Sequence, residues 1–469
     1  MRMRSADSAW AFDAQVLRRY DRLGPRYTSY PTAPHFSERF DRAAMQAAVE
    51  RAQQQAPTKP LSLYVHVPFC VNPCFYCGCH RVIARDRSKG IAYIQRVLRE
   101  VDTVARWIFP DRPVVQLHLG GGTPNFLTAT TLAHLMNGLQ SAFQFADSRH
   151  RDISIELDPR TMERRDIASL AQLGFNRVSF GVQDFDPAVQ KAINRQQSVE
   201  QTVDLIDACR QHDIASVNID LIYGLPRQQL KGFAQTLATI IAVRPDRIAV
   251  YGYAHLPQRF RGQRQIAEDA LPDGQTRLAL LSLAVQTLTE AGYHYIGMDH
   301  FALPNDPLAV ARRQGDLQRN FMGYTTHANA DLIGFGVSAI SHIGESYCQN
   351  ERDIAQWQAA VDGHGVGVWR GVHLTADDRV RAEIIHALMC QGRVDCQAVA
   401  RRHQIDFFSY FAEAIDKLQP LLDDGFATLT AQTIKVTERG RALVRLVAMC
   451  FDRYLDDAAF APLPYAKTL

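Results

Sequence analysis

Cys70, Cys74 and Cys77 form a Cys-x-x-x-Cys-x-x-Cys run on one short loop. Three thiolates so spaced can bind three irons of a [4Fe–4S] cube and leave the fourth iron open. An open iron is a place to bind a reactant, not merely to pass electrons. Zinc is the competing occupant. Structural zinc wants four closed ligands, usually as two pairs separated by a longer loop, and Cys79 or His80 could supply the fourth here. The chain has nine cysteines, an odd number, with four of them between Cys70 and Cys79. In a reducing compartment such a cluster reads as metal or redox chemistry and not as a disulfide framework. The dispersed Cys209, Cys348, Cys390, Cys396 and Cys450 read as small buried or half-buried thiols.

The loop needs elements to hold it. From about residue 60, short β-branched runs alternate with longer segments of helical spacing. Strands are expected at 62–67, 114–119, 153–157, 177–181, 217–222 and 247–251, with helices such as 91–106 and 127–143 between them. That alternation means βαβ units and a parallel sheet whose strand ends share one face. No G-x-G-x-x-G follows the first strand, so six units suit a partial or closed barrel better than a dinucleotide-binding sheet. Chemistry-bearing residues stand at every strand exit. The cysteines follow the first strand and Gly120-Gly121-Gly122-Thr123-Pro124 the second. Glu156 ends the third, Gln183 lies just past the fourth, Asp220 lies in the fifth and Ala254 follows the sixth. Polar and glycine residues at all six exits are what a barrel-mouth active site requires.

Around this core, residues 1–50 read as an N-terminal arm, broken by Gly24-Pro25 and Tyr30-Pro31. Residues 51–365 read as the barrel with an extension. Residues 366–469 read as a small, mostly helical domain with helices at 376–389, 396–403, 410–422 and 439–454 and a β-like wing at 433–436. The 469 residues are too many for one ordinary domain, and 46% apolar and 22% charged residues are ordinary for a globular chain. The net charge of +3 is mild and the basic residues read as spread along the chain, so no nucleic-acid partner is expected. No run of 18 apolar residues suggests a membrane span, and Met1-Arg2-Met3-Arg4-Ser5-Ala6-Asp7 lacks the apolar core of a signal peptide, so a cytoplasmic protein is expected.

The segment Tyr64-Val65-His66-Val67-Pro68-Phe69-Cys70 through Cys77-Gly78-Cys79 resembles the radical S-adenosylmethionine motif. Further motifs narrow the resemblance to the oxygen-independent coproporphyrinogen III oxidases. They are Arg26 to Thr32, His118 to Pro124, Gly181 to Phe185, Asn218 to Pro226, Tyr253 to Pro257, Gly297 to Phe301, Gly440 to Arg445 and Phe451 to Leu455. The match spans nearly the whole chain. It implies an α/β fold, a partial (β/α)6 TIM-like barrel. It implies a [4Fe–4S] cluster on Cys70, Cys74 and Cys77, whose open iron binds S-adenosylmethionine and, with one electron, releases a 5′-deoxyadenosyl radical. It also implies two S-adenosylmethionine molecules. The first is expected at Tyr64, Gly121, Glu156 and Ile340, and the second at Tyr76, Gly122, Thr123, Gln183, Arg195, Asp220 and Ala254.

The implied reaction is the oxidative decarboxylation of two propionates of coproporphyrinogen III to vinyl groups, giving protoporphyrinogen IX. A flavodoxin or ferredoxin as electron donor, a separate electron acceptor and a monomeric state complete the expectation. Four substrate carboxylates call for basic groups, with Arg26, Arg160, Arg261 and His300 as candidates. Cys79 is either a hydrogen donor near the substrate or an ordinary thiol. Tyr27 and Tyr30 either gate the mouth or pack. Met322 stands where the family commonly has glutamine, exchanging amide groups for a weak thioether acceptor. A haem-binding chaperone and a haem-degrading methyltransferase relative are the competing functions on this scaffold. The Cys-x-Cys extension and the intact arm and tail motifs favour the oxidase.

Overall fold

The computed structural model describes residues 19, 20, 22–327, 329–455 and 465; the first eighteen arm residues, with the Met1–Asp7 stretch, thus lie outside the described residues. All six expected strands form: β1 (Leu61–Val67), β2 (Val114–Gly121), β3 (Asp152–Leu157), β4 (Arg177–Gln183), β5 (Ser216–Tyr223) and β6 (Arg247–Gly252). Each pairs in parallel with the next. Helices α1 (Arg42–Gln55), α2 (Ser88–Ala105), α3 (Ala129–Ala142), α4 (Arg164–Gln172), α5 (Val199–Gln211), α6 (Leu230–Val243) and α7 (Gly274–Glu290) cover the outside. Side-chain oxygens start several of them. Thr128 accepts from Thr131 N at α3 and Ser198 from Gln201 N at α5.

Successive strand residues point to opposite faces. Leu117, Leu119, Ile153, Ile155, Val178 and Phe180 are buried in the core beneath the helices. The alternate residues, Gln116, His118, Ser154, Glu156, Ser179 and Asp220, line cavities inside the barrel. The outer face therefore drives folding and the inner face is free to carry chemistry.

The sheet extends beyond the six expected strands. Six more, β7 (His294–Gly297), β8 (His300–Ala302), β9 (Asp331–Phe335), β10 (Ile340–Ile343), β11 (Ser346–Asn350) and β12 (Val368–His373), give the order β12-β11-β10-β9-β1-β2-β3-β4-β5-β6-β8-β7. The sheet has two free ends and so is a partial, open barrel. β9 is a seventh parallel strand, on the outer side of β1. These added strands are short, so period-2 alternation gives little signal in sequence.

Two domain boundaries move. Helix α1 runs through residue 50 and sinks Met45, Ala48, Val49 and Ala52 into the barrel core, so the arm ends at about Asp41. Strand β12 is hydrogen-bonded to β11, so the C-terminal domain begins after His373 and not at 366. That domain has helices Ala376–Gln391, Cys396–His403 and Ala412–Asp423 and a three-stranded wing. The single helix expected over 439–454 is instead a 3-10 turn (Arg441–Leu443), a short helix (Val444–Met449) and a second 3-10 turn (Arg453–Leu455). Every residue of Val444–Met449 is buried, so packing on all sides, not an amphipathic face, holds this stretch. Tyr27 and Tyr30 are packed into this domain's core, with Tyr27 donating to Asp452 at 2.9 Å. They pack and do not stand free at the mouth. Arg445 donates to Pro25 O at 2.9 Å and also to Gly24 O, clamping the arm.

Strand β9 is fastened by a buried ion pair. Arg112 and Asp331 lie 2.5 Å apart, with side chains 1% and 2% exposed, and Lys59 reaches the other carboxylate oxygen at 2.7 Å. Asp331→Asn would leave the Arg112 charge buried without its counter-charge, costing about 3–5 kcal/mol. Its thermal unfolding midpoint should fall clearly. The double variant Arg112→Met/Asp331→Leu should recover much of that loss. Equal midpoints for Asp331→Asn and the parent would show that the pair does not secure the strand.

Candidate active site

The cysteine loop leaves β1 and is tied down on both flanks. Phe75 N donates to Ile193 O at 3.0 Å, Asn194 Nδ2 to Pro73 O at 2.7 Å and Arg81 Nη2 to Cys74 O at 3.0 Å. Under the loop lies the turn that ends β2. Gly122 N donates to Val67 O at 2.8 Å, and a Cβ at Gly122 would stand 2.5 Å from Pro68 O. Gly121, at φ +122°, lies against the His66 ring. These glycines let the β2 exit approach the cysteine loop itself, a closeness that any side chain would forbid.

Cys70, Cys74, Cys77 and Cys79 line one cavity of about 330 Å³ together with Tyr76, Gly121, Gly122, Thr123, Glu156, Gln183, Arg195 and Asp220. Each of the three motif sulfurs has a donor aimed at it. Thr123 Oγ1 is 3.3 Å from Cys70 Sγ. Arg195 Nη1 and Arg160 Nη2 are 3.4 and 3.5 Å from Cys74 Sγ, and Cys79 N is 3.4 Å from Cys77 Sγ. Hydrogen bonding from Cys79 and the nearby Arg81 charge bring the Cys77 thiol down to about 6. Burial pushes the Cys70 thiol up to about 11 against the pull of Thr123. Metal binding releases such protons, so bound iron would complete the deprotonation at Cys70 and Cys77. The three motif sulfurs share one cavity, each with its own donor, as thiolate ligands of an iron–sulfur cluster require, and His80 does not line the cavity.

The carboxylates are held in different states. Burial pushes the Glu156 carboxyl up, but His118 Nε2 at 3.3 Å and Gly121 N at 3.1 Å outweigh it, and the group sits below its ordinary range. Its side chain is 45% exposed, toward the cavity. Asp220 is pushed up to about 6 by burial and the Glu156 charge, against hydrogen bonds from Asn218 at 2.8 Å and Ser179 at 3.0 Å. Asp158, not singled out from the sequence, joins Arg160 at 2.6 Å and Arg195 at 3.3 Å into an ion network behind Cys74. Its signal was the period-2 step from Glu156. Below lies a second polar cavity of about 150 Å³ that shares Glu156, Ser179, Asp220 and Tyr251 and includes Met322.

Three expected contacts lie outside the cysteine cavity. Tyr64 stands behind it, its ring stacked on His118 and its hydroxyl 2.9 Å from His66 Nδ1. Ala254 lines a third cavity of about 410 Å³ between arm, barrel and C-terminal domain. Its carbonyl and that of Tyr76 share the Gln263 amide, at 3.1 and 2.9 Å. Ile340 opens β10, two strands from β1. Of the basic candidates, Arg160 lines the cysteine cavity, while Arg26 pairs with Asp299 and lies over the Tyr251 ring. Arg261 is exposed. Burial pushes the His300 imidazole down to about 3, so it is neutral and offers no charge to a carboxylate.

The chain matches the Radical SAM superfamily model over residues 64–240 and the HemN C-terminal domain model over residues 374–443. It is 47% identical over 444 residues to the oxygen-independent coproporphyrinogen III oxidase of Pseudomonas aeruginosa, covering 95% of this chain and 96% of the relative. The Escherichia coli K12 enzyme of that name is 45% identical, with 96% of both chains covered. The solved structure described as coproporphyrinogen III oxidase (HemN) from Escherichia coli, a radical SAM enzyme, superposes with a TM-score of 0.90 at 44% identity, covering 94% of this chain and 99% of that one. Three thiols at the exit of the first strand of a partial barrel, likeness along almost the full length and a matching C-terminal domain agree, and the chain belongs to the oxygen-independent coproporphyrinogen III oxidases of the radical SAM superfamily.

Proposed function

We propose that this protein converts two propionates of coproporphyrinogen III to vinyl groups, giving protoporphyrinogen IX. The observation that carries the reading is the set of three motif thiols facing one cavity, each with its own donor, beside two carboxylates in different states. When bound, the cluster and S-adenosylmethionine supply a 5′-deoxyadenosyl radical that takes a hydrogen atom from the substrate. Each conversion removes one hydrogen atom from a propionate β-carbon, releases carbon dioxide and passes one electron to an acceptor.

Cys70, Cys74 and Cys77 hold the cluster. Glu156 and Asp220 accept from the ammonium and ribose hydroxyls of two S-adenosylmethionine molecules, one for each vinyl group. The tyrosine and glycine edges of the cavity, Tyr76, Gly121, Gly122 and Thr123, with Gln183, shape the space around them. Arg195 is engaged by Asp158 and by Gly181 O, at 3.1 Å through Nε, so it fixes the wall at Cys74 as well as offering charge to a ligand carboxylate. Arg160, beside the same sulfur, is the basic group best placed to meet a substrate carboxylate. Cys79, exposed and hydrogen-bonded through its backbone to Cys77 Sγ, tunes that ligand.

Anaerobic incubation with coproporphyrinogen III, S-adenosylmethionine and a reductant should yield protoporphyrinogen IX and 5′-deoxyadenosine together. Tight haem binding with no vinyl product would instead support the chaperone reading. Cys74→Ser should abolish cluster absorbance near 400 nm and all turnover, while Cys209→Ser, buried in the barrel core, should keep both. Equal loss in the two variants would count against the site.

The raised Asp220 carboxyl gives a pH test. Because its value in the free site, about 6, lies above the ordinary 3.8, it is protonated at lower pH and must ionise to face a cationic ligand. Affinity for S-adenosylmethionine should therefore rise as pH increases through 6, by up to about tenfold per pH unit below it, and level off above. Asp220→Asn should flatten the profile in equilibrium dialysis. An unchanged slope in the variant would remove Asp220 from ligand binding.

A further inference from the structure

The segment that follows the cysteine loop, Arg81–Ile91, holds four cations, Arg81, Arg85, Arg87 and Lys89, against one carboxylate, Asp86. Its net charge of +3 makes it a locally basic stretch in a chain that is itself only mildly basic. Arg81 turns inward to Cys74 O. Arg85, Arg87 and Lys89 are exposed, and neither Arg85 nor Arg87 has an ion-pair partner among the described residues.

Ser88 and, more weakly, Lys89 hold the Asp86 carboxyl below its ordinary range. Arg87 is the N-cap of α2 without a side-chain capping bond, and the first turn of that helix holds no acidic residue. Cations at the positive end of a helix dipole oppose stability. Two of the few large exposed apolar side chains lie in the same segment, Ile83 at 43% and Ile91 at 48% exposure. Ile83 is the register partner of Cys70 in a short parallel ladder, and Ala84 N donates to Cys70 O at 2.9 Å. The exposed strand therefore runs one strand spacing, about 4.8 Å, from the backbone of a motif cysteine. The exposed Asn72 also lines the cysteine cavity, so the loop reaches the surface on this side.

We propose that this face docks the electron donor, a small acidic protein that carries one low-potential electron. The inference rests on the cluster being held by Cys70, Cys74 and Cys77. A cationic rim around exposed apolar side chains is the complement of an acidic carrier. Charge steers such encounters, and electron-transfer contacts are small and transient. The position beside Cys70 gives the electron a short covalent and hydrogen-bonded route into the site.

The test uses cluster-reconstituted enzyme with Arg85→Glu/Arg87→Glu/Lys89→Glu. Cluster bleaching is followed by stopped-flow absorbance with two reductants, reduced flavodoxin and reduced methyl viologen. In the parent, flavodoxin should reduce the cluster at a rate that falls steeply with added salt. In the variant that rate should drop at least tenfold at low salt and lose most of its salt dependence. Methyl viologen is itself a cation, so its rate should be unchanged or faster. Vinyl formation driven by methyl viologen should stay within twofold of the parent. Unchanged flavodoxin kinetics in the variant, or equal slowing with both reductants, would overturn the docking face. Absence of vinyl product from the parent with methyl viologen would instead overturn the proposed reaction, while the flavodoxin bleaching rates still decide the docking face.

Discussion

The close approach of two backbones, the cysteine loop leaving β1 and the glycine turn ending β2, is the constraint on which the site depends. The Gly122 backbone lies so near Pro68 O that no Cβ fits, and Gly121 lies as tightly against His66. That contact sets the height of the loop above the sheet. It also brings the Gly121 N–H to Glu156 and the Thr123 hydroxyl to Cys70. A substitution that widened this seam would disturb the sulfurs, the carboxylate and the hydroxyl together, because one turn carries the hydroxyl and touches the other two.

The barrel can hold such a site because its two faces are specialised. The outer face is apolar and covered by helices, and burial of that face supplies the stabilisation. The inner face is polar along its length, from the Arg177–Asp152 pair at the strand starts to Glu156 and Asp220 near the exits. Unpaired charge in such a space is expensive. The structure meets this with local pairing, as in the Asp158–Arg160–Arg195 network, and leaves Glu156 open to the cavity. The arm and the C-terminal domain then close over the far side. Arg445 grips the arm and Tyr27 reaches Asp452.

Much of this could be read from the residues. The six parallel strands are marked by β-branched runs, and the thiol spacing marks the site, because both are local patterns. The added strands β7 to β12 were not legible, since most are only three to five residues long and they join the barrel sheet through distant partners, β8 to β6 and β9 to β1. The polar inner face was present as Gln116-x-His118 and Asp152-x-Ser154-x-Glu156, but the apolar residues between these masked it. His300 illustrates the opposite failure. A histidine in a suggestive motif reads as a basic group, and only burial shows that it is neutral. Tyr64, Ala254 and Ile340 do not line the cysteine cavity, though Tyr64 stands near enough to feel Glu156 and Cys79, and no spacing encodes which side chains face it.

The central claim is that three sulfurs hold a cluster with one iron left for a ligand. Its most direct test is the electron paramagnetic resonance spectrum of the anaerobically reconstituted, reduced protein with and without S-adenosylmethionine. The account predicts iron and sulfide in equal amounts, about four of each per chain, and a signal whose g-values shift when S-adenosylmethionine is added. A signal indifferent to S-adenosylmethionine, or a protein that takes up a single tetrahedral zinc in place of iron, would contradict it.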